Sequence, residues 1–269
     1  MKNKKLAILG GGNIGAALAQ GVIKAGLVKA KDIVVTKRNA DELGELASLG
    51  VTVSSDNISA VSSADIVLVA VQPKQLLGLL KEIKGQLTAK HALVSCVTGV
   101  SLSEMREVVG DKVALFRAMP NTAISIQQSI TCIATSKVSK AKEKEILTLF
   151  NNLGKAVIIE EDLMAAATVL GACGVAYALR FVRAASQGGI EIGFDADIAQ
   201  LIAAQTVVGA ASLLFSTGKH PEREIDKVTT PQGCTIAGLN EMEHQGFSSA
   251  LIKGLKTSYG KIHDIAEGS

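Results

Sequence analysis

Short apolar runs rich in β-branched residues alternate with segments of helical periodicity over the first 160 residues of the chain. Eight of these runs are predicted as strands: KLAILG, DIVVT, VTVSS, DIVLVAV, HALVSCV, KVALFRAM, SITCIATS and KAVIIE. This rhythm is typical of a mostly parallel sheet with helices on both faces. After EEDL the strand signal ends and helical segments follow. We therefore predict an α/β domain at residues 1–160 and an all-α domain at residues 161–269.

A glycine turn follows the first predicted strand and precedes an alanine-rich helical segment. Gly10, Gly12 and Gly15 form the pattern G-x-G-x-x-G. The first glycine permits a tight turn, the second lets the backbone approach a pyrophosphate, and the third lets helix and strand pack closely. An ordinary strand-to-helix turn would have the same pattern. Its position at the first strand of repeated strand–helix units favours a Rossmann-type dinucleotide site.

The second predicted strand ends in Thr36, Lys37 and Arg38. A site specific for NAD usually has an acidic residue about 20 residues beyond the glycine turn, where it accepts from the ribose hydroxyl. A hydroxyl and two cations at this corner instead favour the 2′-phosphate of NADP(H). The alternative is a solvated basic corner at the end of a strand. We expect NADPH as the cofactor, with NADH possible.

Composition excludes several other classes. The chain has 28 Lys and Arg against 25 Asp and Glu, a net charge of +3, and 3% aromatic residues, which disfavours nucleic-acid binding. Its four cysteines and four histidines are scattered, so no metal site and no disulfide framework is predicted. The cysteine pattern and the glycine turn close to the N-terminus favour a cytoplasmic protein without a signal peptide.

Residues 163–179 contain no charged side chain and approach the length of a membrane span. The stretch is short, rich in alanine and interrupted by Gly171 and Gly174, and it lies between Asp162 and Arg180. We interpret it as a helix that is buried on all sides. No membrane association is expected.

The segment TPQGCT, residues 230–235, precedes the helical stretch IAGLNEM. A turn at the start of a helix presents free N–H groups to an anion such as a carboxylate. An ordinary helix N-cap with a proline turn has the same pattern. No Ser/His/Asp arrangement and no clear general base accompany it, which suits reduction of an already protonated imine. These residues by themselves predict an NADP-linked oxidoreductase.

Several stretches together resemble pyrroline-5-carboxylate reductase, the last enzyme of proline biosynthesis, over essentially the full length. The stretches that carry the resemblance are LGGGNIGAALAQG, AVQP, RAMPNTA, GACGVAYALRFVRAASQGGIEIG, AQTVVGAASLL and TPQGCTIAGLNEMEHQGF. Their order and spacing make the resemblance specific. It implies reduction of 1-pyrroline-5-carboxylate to L-proline by NAD(P)H, and an intertwined homodimer that can assemble further.

The resemblance also implies roles for individual residues. The implied cofactor-binding residues, beside Thr36, Lys37 and Arg38, are Gly10, Gly12, Asn13, Ile14, Gly15, Asn57, Ala70, Val71, Gln72, Pro73 and Thr98. The implied substrate-binding residues are Thr230, Gly233, Cys234 and Thr235. The amides of Gly233, Cys234 and Thr235 would hold the substrate carboxylate. The Thr235 hydroxyl would hydrogen-bond the ring nitrogen, which makes Thr235 the predicted catalytic residue.

The chain departs from the family pattern at four positions. Gln72 replaces a lysine, Val175 a proline, Gln232 a glycine, and Cys234 a small or hydroxylated residue. These changes leave the backbone donors of the turn in place. They keep open a reductase of the same fold that acts on another small imino or 2-keto acid. A second alternative, of a different class, is a non-catalytic NADP-binding regulatory paralogue in which the glycine turn functions and the TPQGCT loop does not.

Overall fold

The structure is a computed structural model that describes residue 1 and residues 3–267, with side chains up to residue 262. It has two compact units, one of residues 1–173 with the chain from residue 258, and one of residues 174–257. The first unit therefore extends to Cys173 before the chain enters the second unit. The predicted domain boundary at residue 160 lies earlier, just after the last strand, which ends at Ile158.

All eight predicted strands are present, and they form one sheet. The strands are β1 (Leu6–Leu9), β2 (Ile33–Thr36), β3 (Thr52–Ser54), β4 (Ile66–Val69), β5 (Ala92–Ser95), β6 (Ala114–Met119), β7 (Ser129–Thr135) and β8 (Gly154–Ile158). Their order is β3-β2-β1-β4-β5-β6-β7-β8, and every pair is parallel except β6 with β7. The order reverses between β1 and β4, which is where open α/β sheets bind their ligands.

Helices follow most of the strands. They are α1 (Asn13–Lys24), α2 (Gly44–Ser48), α3 (Asn57–Ser62), α4 (Pro73–Ile83), α5 (Leu102–Val109) and α6 (Lys140–Asn151). Short 3-10 turns cover Ala30–Asp32, Ala40–Leu43, Thr122–Ile126 and Glu161–Leu163. The alternation of strand and helix that the apolar runs predicted is therefore confirmed.

The central strands are buried on both faces, as a parallel sheet requires. Leu6 and Ile8 of β1 belong to one apolar cluster with Leu18 of α1, and Ala7 and Leu9 belong to a second cluster with Leu80 of α4. Successive side chains of a strand point to opposite faces, so one strand contributes to both clusters. This packing fixes the end of β1, and with it the position of the glycine turn.

From Met164 to Glu267 the described residues are mostly helical. Its elements are α7 (Met164–Ala167), a π-helical turn (Thr168–Cys173), α8 (Gly174–Glu191), α9 (Ala196–Thr217), α10 (Pro221–Val228), α11 (Cys234–His244) and α12 (Phe247–Glu267). This pattern and the mostly parallel sheet confirm the predicted fold class, a Rossmann-type domain followed by helices.

The charge-free stretch at residues 163–179 is helical along its length: α7 passes into the π-helical turn and then into α8. In the single chain Leu170 and Leu179 are 71% and 63% exposed, so the predicted burial on all sides requires a cover from outside this chain. The turn is anchored by Asn121, whose side-chain amide donates to the Gly171 carbonyl at 3.0 Å. Two helical stretches, 161–191 and 196–217, have the length and apolar composition of a membrane span, and only 11% and 6% of their apolar windows are buried within the chain.

Candidate active site

The glycine turn lies at the point where the strand order reverses. Gly10 has φ of +104°, a conformation that favours glycine. A Cβ on Gly10 would lie 2.5 Å from the Ala70 carbonyl oxygen, and one on Gly15 would lie 2.0 Å from the Gly10 carbonyl oxygen. A Cβ on Gly12 would meet nothing within 4 Å. Two glycines therefore permit close packing, while the third faces open space.

The open space beside Gly12 adjoins unpaired amides of the helix. The Gly10 and Gly11 amides donate to the Thr36 carbonyl at 3.0 and 2.8 Å, which ties the turn to β2. The amides of Asn13 and Ile14 open α1, where no intrahelical acceptor is available, and Gly12 has no side chain that could cap them. Free amides at the positive end of a helix dipole suit an anionic group, so these residues fit a dinucleotide pyrophosphate.

A cleft of about 460 Å³ lies next to this turn. It is lined by Gly11, Gly12, Asn13, Ala16, Gln20, Lys37, Glu42, Leu43, Gly44, Glu45 and Leu46. Lys37 forms an ion pair with Glu42, and a hydrogen bond from Lys37 holds the pKa of the Glu42 carboxyl below its usual value. The corner therefore contains a carboxylate beside the predicted cation.

The three predicted residues of the β2 corner have different environments. Thr36 is buried, and its hydroxyl donates to Asn57 Oδ1 at 2.6 Å. Asn57 Nδ2 in turn donates to Glu82 Oε1 at 3.2 Å. Arg38 is exposed and is not among the residues that line the cleft. Of the three, Lys37 alone lines it, while Thr36 and Asn57 form a hydrogen-bonded pair at the same edge of the sheet.

The corners after β4 and β5 complete this edge. The Ala70 amide donates to the Leu9 carbonyl at 2.8 Å, and Val71 lies against Gly10. The backbone amide of Gln72 donates to Oε1 of the Gln75 side chain on α4 at 3.2 Å, and Pro73 is the first residue of α4. The structure thus brings together the residues predicted from the AVQP corner and from the glycine turn.

The residues after β5 are also at this edge. Thr98 lies in the loop between β5 and α5, next to Gly99 with φ of +85°. Cys96 precedes them, and burial raises the pKa of its thiol to about 12. A thiol with that pKa stays protonated at neutral pH and is a poor nucleophile. Cys96 therefore has a packing role at this corner.

The TPQGCT segment forms a tight turn in the unit of residues 174–257. The Gly233 amide donates to the Thr230 carbonyl at 2.9 Å, and Gln232 has φ of +58°. A Cβ on Gly233 would lie 2.4 Å from Thr230 Oγ1. The Gly233 amide is thus engaged within the turn. The amides of Cys234 and Thr235 open α11 and, by helix geometry, have no intrahelical acceptor.

Glu42 and Glu82 are two site residues that no sequence pattern indicates. Both carboxylates contact a predicted cofactor residue, Lys37 and Asn57 respectively. Glu82 lies on α4, 25 residues from its partner, so no local pattern connects the two. Glu42 lies in the segment NADEL, five residues after Lys37, and this spacing matches neither helical nor strand periodicity. The 3-10 turn at Ala40–Leu43 places Glu42 beside the end of β2.

A glycine turn that opens a helix at the reversal point of a parallel sheet is typical of a dinucleotide-binding Rossmann domain, and the family matches place this one in the class of NADP-linked oxidoreductases. Residues 5–99 match the family profile "NADP oxidoreductase coenzyme F420-dependent", and residues 161–265 match "Pyrroline-5-carboxylate reductase dimerisation". The chain belongs to the pyrroline-5-carboxylate reductase family, because members of that family at 42% and 35% identity match it over 92% and 95% of their own lengths.

Relatives and solved structures agree with this assignment. The chain is 48% identical to pyrroline-5-carboxylate reductase 1 of Dictyostelium discoideum over 97% of its own length, and spans about half (49%) of that protein. It is 42% identical to reductase 2 of the same organism, over 96% of this chain and 92% of the relative. A pyrroline-5-carboxylate reductase structure from Coxiella burnetii superposes with a TM-score of 0.87 at 26% identity, covering 98% and 99% of the two chains.

These matches confirm the predicted family and the class of reaction, an NAD(P)H-dependent reduction of a cyclic imine. The family assignment rests on matches that extend over nearly the whole chain, and it does not depend on one motif.

Proposed function

We propose that the protein reduces 1-pyrroline-5-carboxylate to L-proline, with NADPH as the preferred hydride donor and NADH as a second one. The observation that carries this proposal is the glycine turn at the reversal point of the sheet, beside a cleft lined by Lys37. The names of the relatives support the substrate. When bound, the cofactor would supply the hydride, which is added to the imine carbon.

The cofactor would be held by residues along the carboxyl edge of the sheet. Gly10, Gly12, Asn13, Ile14 and Gly15 would bind its pyrophosphate through the amides that open α1. Lys37 would face the 2′-phosphate, together with Arg38 and beside Thr36. Asn57 would lie near the adenosine ribose. Ala70, Val71, Gln72, Pro73 and Thr98 would contact the nicotinamide half.

The substrate would be held by the turn before α11. The free amides of Cys234 and Thr235 suit the substrate carboxylate, and Gly233 fixes the turn through its bond to Thr230. The Thr235 hydroxyl would hydrogen-bond the ring nitrogen. A protonated imine needs no further proton at that nitrogen, so orientation of the ring is the main catalytic task of these residues.

Assembly and compartment belong to the same proposal. We take residues 1–160 as the dinucleotide-binding domain and residues 161–269 as the domain for dimerisation and substrate binding. The family profile at residues 161–265 supports a homodimer, and a larger homo-oligomer is compatible with it. Apolar side chains that are exposed in the single chain would then be covered by a second copy. A soluble, cytoplasmic protein without nucleic-acid or membrane partners fits this arrangement.

The test is oxidation of NADPH followed by absorbance with purified protein and 1-pyrroline-5-carboxylate. Parallel reactions replace NADPH by NADH, and the imine by a 2-keto acid. We expect turnover with the imine and none with the 2-keto acid. Thr235→Ala should lower kcat by about 10-fold or more, because a hydrogen bond to the reacting group is lost.

Thr235→Ser is the matched variant, because it keeps the hydroxyl and should retain most of the turnover. Circular dichroism on all three proteins shows whether the fold is preserved. Unchanged kcat in Thr235→Ala would remove Thr235 from the mechanism. Turnover with the 2-keto acid alone would overturn the proposed substrate, and binding of NADPH without any turnover would favour a regulatory role.

A further inference from the structure

The β2 corner holds a carboxylate that the glycine fingerprint does not predict. Glu42 pairs with the Lys37 ammonium through Oε2, and its Oε1 accepts a hydrogen bond from Asn39 Nδ2 at 3.2 Å. The carboxylate is therefore fixed at both oxygens, although its side chain is 53% exposed. The Lys37 side chain is 33% exposed. The pair thus lies at the surface of the corner, where a ligand can reach it.

Glu42 and Lys37 line the same cleft as Gly12 and Asn13, which open α1. A 2′-phosphate at this corner would compete with the Glu42 carboxylate for the Lys37 ammonium. The like charges of carboxylate and phosphate would also repel each other. A ribose hydroxyl meets neither obstacle, since a carboxylate at this corner of a Rossmann domain accepts a hydrogen bond from it.

We propose that Glu42 is a specificity-determining residue that lowers the preference for NADPH over NADH by occupying Lys37 and opposing a 2′-phosphate. This inference rests on the proposed function only in taking this cleft as the adenosine end of the cofactor site. The relative affinity for NADPH and NADH would then depend on the ion pair between Lys37 and Glu42. Lys37 attracts the phosphate, and Glu42 weakens that attraction.

The experiment measures dissociation constants for NADPH and NADH by fluorescence titration, in the absence of substrate. Glu42→Gln removes the charge and keeps the shape of the side chain and an oxygen that can accept from Asn39. We expect the dissociation constant for NADPH to fall about fivefold, which corresponds to the loss of one exposed ion pair, while that for NADH falls less than about twofold. 2′,5′-ADP and 5′-AMP, used as competitors, should reproduce this difference without the nicotinamide half.

Asp41→Asn is the matched control. It removes one negative charge from the same 3-10 turn, at an exposed residue outside the set that lines the cleft, and should leave both dissociation constants within about twofold. The quantity compared is the ratio of the dissociation constants for NADH and NADPH. The proposal is overturned if this ratio changes by less than about twofold in Glu42→Gln, or if it changes equally in Glu42→Gln and Asp41→Asn.

Lys37→Ala separates this inference from the proposed cofactor site. It should weaken NADPH binding far more than NADH binding. If Lys37→Ala weakens NADPH binding selectively while Glu42→Gln has no effect, Lys37 binds the 2′-phosphate and the role proposed for Glu42 is wrong. If neither variant changes NADPH binding, the corner is not the 2′-phosphate site, and both proposals fail there.

Discussion

At the scale of single residues, the glycine turn contains two glycines with opposite surroundings. A Cβ on Gly15 would lie 2.0 Å from the Gly10 carbonyl oxygen, whereas a Cβ on Gly12 would meet nothing within 4 Å. Gly15→Ala should therefore lower the free energy of unfolding by about 1–3 kcal/mol, the usual range for overpacking. Gly12→Ala should keep the fold and raise the dissociation constant for NADPH, because its methyl group would occupy the space beside the free amides of α1.

Thermal unfolding and NADPH titration of both variants check this prediction. Gly12 has φ of −83°, so alanine causes no backbone strain there, and a difference between the variants reflects space alone. A stable Gly15→Ala protein would mean that α1 can move away from the turn at little cost. Unchanged NADPH binding in Gly12→Ala would place the pyrophosphate elsewhere.

At the scale of elements, a charge cluster joins the residues before β1 to α6. Glu145 accepts from Lys4 at 2.8 Å and pairs with Lys142 at 3.2 Å. Partial burial raises the pKa of Glu145, but the hydrogen bond from Lys4 and the charge of Lys142 outweigh it, so the pKa lies below its ordinary value. Glu145→Gln should lower the free energy of unfolding by about 1 kcal/mol at pH 7, the upper end for a solvent-screened pair.

This contribution depends on pH with a definite sign. A depressed pKa in the folded state stabilises the protein above the unfolded value of about 4.3, and the stabilisation is lost as the pH falls through the folded value. Denaturant unfolding at several pH values should therefore show the wild type and Glu145→Gln converging below about pH 4. Glu143→Gln, in the exposed pair with Lys140, is the control and should change stability by less than about 0.5 kcal/mol. A difference that persists undiminished at pH 3 would show that the carboxylate charge is not its source.

At the scale of the whole molecule, the helices after residue 160 expose many large apolar side chains. Leu201 and Val208 on α9 are 64% and 56% exposed, and their spacing of seven residues places them on one face of the helix. Exposed apolar surface of this extent marks an interface. Light scattering should therefore give a mass of at least twice the 27.9 kDa of the chain.

The double variant Leu201→Asp with Val208→Asp should weaken this assembly. We expect a smaller particle at micromolar concentration, with dissociation promoted by dilution. Ser103→Asp, at an exposed position of α5, adds a charge outside the helical half and should leave the mass unchanged. A wild-type protein that elutes as a monomer at all concentrations would contradict the predicted dimer.

Much of the architecture could be predicted from local patterns. The eight β-branched runs mark the strands, and the spacing of Gly10, Gly12 and Gly15 marks the turn, because both depend on residues that are close in the chain. The exposed surface of residues 163–179 could not be predicted in the same way. An apolar composition requires a cover, but it does not say whether the cover comes from the same chain or from another one.

Local patterns in the amino-acid sequence specify the alternation of strands and helices, the glycine fingerprint, the order of the motifs that identify the family, and the residue types at the β2 corner. Which strands are neighbours is established by the packing of the folded chain, and so is the contact of the glycine turn with the Ala70 corner where the strand order reverses. The same packing brings Lys37 to Glu42 and lets Thr36 donate to Asn57. Such pairs join residues that no periodicity connects, and the packing of the intervening elements brings them together.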